Sequence, residues 1–278
     1  MQTGQPSQTA QRAAAHRAAH QLLEDGRIFQ DPLAVPILGE SPGAIAREAA
    51  ANPERRGMRL FIAARTRFAE GAVAAAVQRG VRQLVVLGAG LDTFAYRNPH
   101  ADLRVFEVDH PATQAWKRQR LAEAGIAMPD SMRFAPVDFE RVSLAEGLNA
   151  AGFAPVAPAI FTWLGVVPYL TEQAVFATLG YIAGLAPGSE VVFTYSDPPG
   201  SMTAERAAAH GRRAARVAAQ GEPWLTSFTP ATLHARLRDL GFNGIEDLGP
   251  AEVAILYFGA AAGSPGRKGG HLVRARLP

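Results

Sequence analysis

The sequence predicts an α/β fold, with a seven-stranded, mostly parallel sheet, helices on both faces and a helical segment ahead of the sheet. Three observations support this prediction. Short apolar runs alternate with helix-like segments from residue 83 onward. The first run leads into the turn Gly88-Ala89-Gly90, and the second run ends at Asp109, nineteen residues after Gly90. This arrangement is typical of the first strand–helix–strand unit of a nucleotide-type cofactor site.

Composition excludes several classes of protein and site. The chain has 278 residues, of which 48% are hydrophobic, and this length suits one α/β domain with additions. The net charge is only +3 and basic residues do not alternate with aromatic ones, so we expect no nucleic-acid partner. The absence of cysteine excludes disulfides and thiolate metal ligands. No apolar run approaches the roughly 18 residues that cross a bilayer, so we expect no membrane partner and a cytoplasmic location.

The first 80 residues are predicted to be mostly helical. Helices are predicted over 9–24, for a short stretch from Asp31, over 42–53 and over 58–78. Gly26 follows the first of these and ends it, because glycine commonly terminates helices. Asp31 is expected to cap the second helix, with Pro32 in its first turn. We therefore predict that 1–80 forms a lid and cofactor-clamp region over the sheet.

Strands and helices alternate in the remaining chain, 81–278, which is predicted to form the cofactor-binding domain. The predicted strands are 83–87, 103–108, 132–137, 159–163, 190–195, 242–248 and 271–277. The predicted helices are 112–124, 144–150, 171–184, 203–220, 229–240 and 252–258. Such alternation produces parallel strands joined by right-handed crossovers, and the last two strands close the sheet. The segment at about 198–228 departs from the alternation and is predicted to be an insertion.

The glycine turn favours a sulfonium cofactor over a dinucleotide. Dinucleotide sites have a third glycine where this chain has Thr93, and the carboxylate of Asp92 would repel a pyrophosphate. S-adenosylmethionine instead carries a cationic sulfonium and an ammonium group, which a nearby carboxylate suits. Asp109 would accept hydrogen bonds from the ribose hydroxyls, and Asp138, with Phe139 beside the ring, would bind adenine. A nicotinamide oxidoreductase and a nucleotide-free α/β turn remain alternatives on the spacing alone.

Motifs in order along the chain resemble the leucine carboxyl methyltransferase family, and more closely its bacterial branch of S-adenosylmethionine-dependent and polyketide-type O-methyltransferases. The matching segments are Thr9-Ala10, His16-Arg17-Ala18, Asp31–Ala34, Ala64–Phe68, Leu87–Thr93, Ala95–Arg97, Phe106–Pro111, Lys117, Val137–Phe139 and Thr162–Thr171. The resemblance covers essentially the whole chain. It implies a class I methyltransferase, Rossmann-like fold, with S-adenosyl-L-methionine as cofactor and S-adenosyl-L-homocysteine as product.

The resemblance also implies roles for matching positions. The implied cofactor-binding residues are Arg65, Gly88, Ala89, Gly90, Asp92, Thr93, Asp109, His110, Asp138, Phe139, Trp163 and Leu164. Arg65 would pair with the methionine carboxylate, which a guanidinium binds in bidentate fashion. The two glycines would admit the cofactor closely, and Asp92 and Thr93 would lie near its amino-acid part. Tyr169 would lie near the methyl donor and the acceptor.

Two departures from the family pattern bear on the acceptor. Phe94 stands where the family commonly has arginine, and Leu164 stands where members that methylate protein phosphatases have glutamate. Both changes predict a more apolar site, suited to a small aromatic or polyketide acceptor. A protein C-terminal carboxyl methyltransferase, and a cofactor-binding protein without catalysis, are the alternatives within the resemblance.

Methyl transfer from a sulfonium is an in-line displacement, so the protein must mainly hold the acceptor oxygen in place and exclude water. A carboxylate acceptor needs no base, whereas a phenol, with a pKa near about 10, gains from one. We predict Tyr169 as the residue that orients the acceptor and His210 as a candidate base. We interpret His110 as part of the frame of the cofactor site rather than as a base, and His234 as structural. Trp224 is a candidate wall of the acceptor pocket.

No spacing of acidic residues and histidines predicts a metal site. The expected partner is a small-molecule acceptor, and the expected state is a monomer or homodimer.

Overall fold

The computed structural model describes residues 8–138, 141–201, 204–219, 223–259 and 270–278. Four helices precede the sheet: α1 (Gln8–Leu23), α2 (Ala34–Leu38), α3 (Pro42–Ala51) and α4 (Arg56–Gln78). Ser41 begins α3, because its side chain accepts a hydrogen bond from the Ala44 N–H while Pro42 occupies the first turn. No helix in these described ranges is both long enough and apolar enough to cross a bilayer.

In the described residues the sheet has seven strands in the order β3-β2-β1-β4-β5-β7-β6. The strands are β1 (Gln83–Leu87), β2 (Arg104–Asp109), β3 (Met132–Pro136), β4 (Ile160–Trp163), β5 (Glu190–Tyr195), β6 (Gly244–Leu248) and β7 (His271–Arg276). Strand β7 runs antiparallel to its neighbours β5 and β6, and the other pairs are parallel. The predicted fold class, a mostly parallel seven-stranded α/β sheet, is therefore confirmed.

Helices cover both faces of this sheet. They are α5 (Pro111–Glu123), α6 (Leu144–Ala150), α7 (Glu172–Ala183), α8 (Ala204–Ala218), α9 (Pro230–Asp239) and α10 (Pro250–Phe258). Strand β1 contributes Val85 and Leu87 to the core on one face, and Leu84 and Val86 to the core on the other. Successive side chains of a strand point to opposite faces, so an unbroken apolar run is what a sheet covered on both sides requires.

Asp31 has a different role from the predicted one. Helix α2 begins at Ala34 with Leu33 at its N-cap, so Asp31 does not cap it. The Asp31 carboxylate is buried, and it accepts hydrogen bonds from the Leu33 N–H (3.1 Å) and the Thr93 hydroxyl (2.7 Å). Arg17 of α1 pairs with the same carboxylate at 3.3 Å. Asp31 thus joins the N-terminal helices to the loop that follows β1.

Helix α1 packs directly on that loop. The Arg17 guanidinium donates to the Leu91 carbonyl oxygen, and a Cβ built on Gly90 would lie 2.7 Å from the Ala10 Cβ. A separate apolar cluster includes residues of α1, α2 and α3 together with Leu91 and Leu121. The first helix is therefore fixed to the loop by a buried polar contact and by close packing.

A second buried polar cluster fixes the strands that close the sheet. The Asp247 carboxylate of β6 accepts hydrogen bonds from the Tyr195 hydroxyl and lies 2.7 Å from His234 Nε2 and 2.8 Å from His271 Nδ1. The opposite nitrogen of His271 lies 3.1 Å from Asp197. Burial alone would lower the pKa of His271, but these two carboxylates raise it. Asp197 and Asp247 therefore favour the protonated form of His271 between β5 and β6.

Candidate functional site

A cavity of about 2270 Å³ lies at the carboxyl ends of β1, β2, β4 and β5. Its walls come from these strand ends, from α1 and α4 on one side, and from α7, α8 and the segment 223–225 on the other. Ligands of open α/β sheets bind at this edge, where the strand order reverses. The order β2-β1-β4 reverses here, with β1 at the switch point. The cavity therefore lies at the edge of the sheet where the topology predicts a ligand site.

The cavity brings together most of the residues named from the sequence. Of the twelve predicted cofactor-binding positions, those that line it are Arg65, Gly88, Ala89, Gly90, Asp92, Asp109, His110, Asp138, Trp163 and Leu164. Tyr169 and His210 also line it. Thr93 does not, and Phe139 lies outside the described residues. The contacts of these side chains with a cofactor remain predictions.

The two glycines of the turn are required by the protein itself. Both have positive φ, +64° at Gly88 and +45° at Gly90, a region that side-chain-bearing residues rarely adopt. A Cβ on Gly88 would overlap Val166 Cγ2, and one on Gly90 would lie too close to Ala10. From the sequence, these glycines were predicted to allow close approach of a cofactor. The structure adds that two other segments of the chain already occupy the space that their side chains would fill.

Asp109 shapes the turn from the end of β2. Its Oδ2 accepts the Gly90 N–H at 2.6 Å, and its Oδ1 accepts the His110 N–H at 2.7 Å. Burial raises the pKa of Asp109, while the two N–H donors act in the opposite direction. A carboxylate has about four acceptor directions, so each oxygen can still accept from a ligand hydroxyl. His110 Nδ1 accepts the Ala112 N–H and caps α5.

The residues just after the turn divide into one that faces the cavity and two that do not. Asp92 lines the cavity while its Oδ1 accepts the Phe94 N–H at 2.8 Å. Thr93 is fully buried, donates to Asp31 and does not line the cavity, and its place near the amino-acid part of a cofactor stays a prediction. Phe94 packs in the core, with its ring 5.9 Å from the Arg97 guanidinium carbon. Of the two departures that predicted an apolar site, Leu164 alone lines the cavity.

Arg65 presents a guanidinium that forms no ion pair among the described residues, although the charge of Asp92 acts on it. It lies on α4 at the cavity wall, and its Nε is buried with no hydrogen-bond partner among the described residues. Burial and the nearby Arg17 lower its pKa to about 10. Its guanidinium lies against Gly165 (φ +74°), where a Cβ would overlap it, and the Gly165 N–H donates to Thr194 Oγ1 at 2.8 Å. A buried guanidinium that has no ion pair among the described residues is suited to bind an anion.

The remaining cavity walls differ in character. Asp138 lies at the wall with its Oδ2 3.6 Å from Arg141 Nε. Trp163 is buried and packs at 6.4 Å, ring centre to ring centre, on Phe193. His210 of α8 and Trp224 have ring centres 4.8 Å apart. His234, interpreted as structural, pairs with Asp247 and does not line the cavity.

His16 is a titratable cavity residue to which the sequence analysis gave no role. His16 of α1 lines the cavity, and burial together with the arginines around it lowers its pKa to about 4. It is therefore neutral near pH 7. The signal was the helical spacing of Thr9, Arg12, Ala13 and His16, which places these residues on one face of α1.

The part of the chain that the structure describes has no group of three potential metal ligands among His, Cys, Asp and Glu.

Comparison with known proteins identifies relatives. The family model described as "Leucine carboxyl methyltransferase" matches residues 10–183. A Bacillus subtilis protein named "Putative S-adenosyl-L-methionine-dependent methyltransferase YktD" is 35% identical over 183 residues, which span 64% of this chain and 60% of that relative. A Mycobacterium avium protein named "Putative S-adenosyl-L-methionine-dependent methyltransferase" is 32% identical over 296 residues, which span 92% of this chain and 94% of that protein.

Solved structures share the fold at low sequence identity. The crystal structure of a "putative methyltransferase" from Thermobifida fusca covers 99% of this chain and 96% of its own, with a TM-score of 0.59 and 18% identity. A "duf574 family protein" from Streptomyces avermitilis covers 95% of this chain and 97% of its own, with a TM-score of 0.56 and 20% identity. These similarities support the architecture described above.

Proposed function

The chain belongs to the leucine carboxyl methyltransferase family, and we propose that it is an S-adenosylmethionine-dependent O-methyltransferase. Its acceptor is a carboxylate or hydroxyl oxygen of a small molecule, of the aromatic or polyketide natural-product type. The observation that carries the proposal is Arg65. Its guanidinium lies at the cavity wall beside the glycine turn, and its Nε has no partner among the described residues. The carboxylate of a methionine group is the anion that this position would bind.

The residues around the cavity fit the rest of this cofactor. Asp109 lies at the end of β2 with acceptor capacity left on both oxygens, which suits a ribose diol. Asp138 lies beyond the end of β3 and would accept from the adenine amino group. Asp92, at the turn, would face the ammonium and sulfonium charges. When bound, S-adenosylmethionine supplies a methyl group on a cationic sulfur.

The chain's own residues would position the acceptor and keep water away. Tyr169 lies in the short turn after β4 and would orient the acceptor oxygen by a hydrogen bond. A carboxylate acceptor is already nucleophilic, so its reaction needs only placement. For a hydroxyl acceptor, His210, which also lines the cavity, would accept the proton. Helix α1, packed on the glycine turn, would exclude solvent from this side.

We expect Asp109→Ala to abolish binding of S-adenosylhomocysteine, because it removes the ribose acceptor and the group that fixes the Gly90 N–H. Isothermal titration calorimetry would measure the dissociation constant. Asp102→Ala is the matched control, since Asp102 is exposed just before β2 and lies outside the cavity. Affinity of the Asp109→Ala protein within twofold of the wild type would remove Asp109 from the site.

The type of acceptor is tested separately. Labelled S-adenosylmethionine is incubated with the wild-type protein and a cell extract, and label on small molecules is separated from label on protein. We expect the label on small molecules. Label on protein carboxyl termini would instead support a protein carboxyl methyltransferase. Thermal stabilisation by NAD(P) in place of S-adenosylhomocysteine would favour the nicotinamide oxidoreductase and overturn the proposal.

A further inference from the structure

The cavity is larger than one ligand requires. Small-molecule pockets usually measure about 300–1,000 Å³, whereas this cavity measures about 2270 Å³. The predicted cofactor positions lie at the strand ends and on α4. The rest of the wall includes Ala174, Ala177, Thr178 and Tyr181 of α7, a helical stripe, together with α8 and the segment 223–225. This second part of the cavity has space for an acceptor beside the cofactor.

The segment that carries Trp224 is attached to the turn that carries Tyr169. The Leu225 N–H and the Thr226 N–H both donate to the Pro168 carbonyl oxygen, at 2.6 and 3.3 Å. The Thr226 hydroxyl donates to the Leu170 carbonyl oxygen. These bonds hold the segment after α8 against the end of β4. These hydrogen bonds therefore fix the segment of Trp224 to the turn that carries Tyr169, the residue predicted to orient the acceptor.

Trp224 combines an aromatic face with an unused hydrogen-bond donor. Its ring centre lies 4.8 Å from that of His210, with the planes inclined by 51°. Its indole nitrogen is buried and has no hydrogen-bond partner among the residues that the structure describes. An indole N–H can only donate, and a buried donor without an acceptor is unfavourable. Buried tryptophans usually find a partner for this group.

We propose that Trp224 is a specificity-determining residue that binds the acceptor through its ring and its indole N–H. The ligand class that fits is a planar, conjugated molecule bearing an oxygen that accepts a hydrogen bond. Such a ring would lie against the ring pair His210–Trp224, in the cavity that the small residues Ala174 and Ala177 of α7 also line. This inference rests on the proposed methyltransferase function, since it assigns the second part of the same cavity to the acceptor.

The test uses 1-hydroxy-2-naphthoate as a planar probe and decanoate as a flexible acid of similar size. Binding of each to the full chain saturated with S-adenosylhomocysteine is measured by calorimetry. We expect the naphthoate to bind more tightly than decanoate. Trp224→Phe keeps an aromatic ring but removes the N–H donor, and we expect it to weaken naphthoate binding by about fivefold or more. Trp224→Ala, which also removes the ring, should weaken it further.

Trp116→Phe is the matched control, because Trp116 lies on α5 and does not line the cavity. Its naphthoate affinity should equal that of the wild type. Each variant's affinity for S-adenosylhomocysteine and its melting temperature are measured as well, and both should be unchanged in Trp224→Phe. Naphthoate binding by Trp224→Phe within twofold of the wild type, or no preference of the wild type for naphthoate over decanoate, overturns the inference. Failure of the wild type to bind S-adenosylhomocysteine would instead count against the proposed function.

Discussion

Lys117→Met is expected to lower the free energy of unfolding by about 3–5 kcal/mol, the usual result of removing one partner of a buried ion pair. Lys117 Nζ lies 2.7 Å from Glu107 Oε2, and both side chains are almost completely inaccessible. Glu107 projects from β2, next to the strand end that carries Asp109. Without the lysine, a carboxylate would remain in the core with only the Tyr96 hydroxyl, at 3.3 Å, as a donor. Urea unfolding monitored by circular dichroism measures the change.

The pH dependence of unfolding separates this effect from lost packing. Burial raises the pKa of Glu107 from 4.5 to about 7, although Lys117 and Tyr96 act in the opposite direction. The folded state then holds the proton more tightly than the unfolded state. The stability that the protonated Glu107 contributes is complete below pH 4.5 and declines as the pH rises through about 7. Lys117→Met removes a positive charge that lowers the pKa of Glu107. The loss of unfolding free energy in this variant should therefore be larger at pH 8 than at pH 5.

A double variant is the matched control for that pair. Lys117→Met with Glu107→Gln removes both charges, and it should recover most of the stability, because buried pairs can be replaced by neutral groups at little cost. A single variant as stable as the wild type at pH 8, or a double variant no more stable than the single one, would contradict this account of Glu107.

Arg65→Met is expected to weaken binding of S-adenosylhomocysteine by at least about tenfold, a loss of about 1.4 kcal/mol or more, without destabilising the ligand-free protein. Arg65 shows no ion pair among the described residues, and its Nε is buried without a partner. Methionine has an unbranched side chain without charge that fills irregular gaps, so the substitution removes an uncompensated charge. Calorimetry gives the dissociation constant, and thermal unfolding with and without ligand gives the stabilisation that binding provides.

Arg67→Met provides the comparison on the same helix, because Arg67 is exposed and lies outside the cavity lining. Its affinity should be that of the wild type. An Arg65→Met protein that binds S-adenosylhomocysteine within threefold of the wild type would show that the guanidinium does not bind the methionine carboxylate. A large loss of ligand-free stability would show that Arg65 instead supports the fold.

The architecture could be predicted because its signals are local. Strand β1 and strand β5 have the predicted bounds, as does α6, since each is a short apolar or capped segment whose pattern is complete in itself. Ser143 illustrates this: its side chain and that of Glu146, three residues later, satisfy each other's backbone N–H groups and begin α6. Such information does not depend on where the rest of the chain lies.

The features that sequence reasoning assigned differently depend on contacts between distant segments. Asp31 resembled a helix cap in its local sequence, but its carboxylate binds Thr93, 62 residues away. That contact also turns Thr93 away from the cavity. His16 had a visible helical spacing, but its place in the cavity depends on how α1 packs against α4. The family resemblance supplied Arg65, and only the structure showed that its Nε has no hydrogen-bond partner among the described residues.

The attachment of α1 to the glycine turn has a consequence for how fast ligands leave. Arg17, Asp31 and Thr93 form one buried network that joins this helix to the loop after β1. Because α1 and the turn both line the cavity, undocking of the helix would widen it, and such an opening breaks these bonds together. We expect product release to limit turnover, as it does in many enzymes whose sites close over their ligands. Arg17→Met should then shorten the residence time of S-adenosylhomocysteine, measured by stopped-flow displacement, more than it slows association; an unchanged dissociation rate would show that ligands leave by another route.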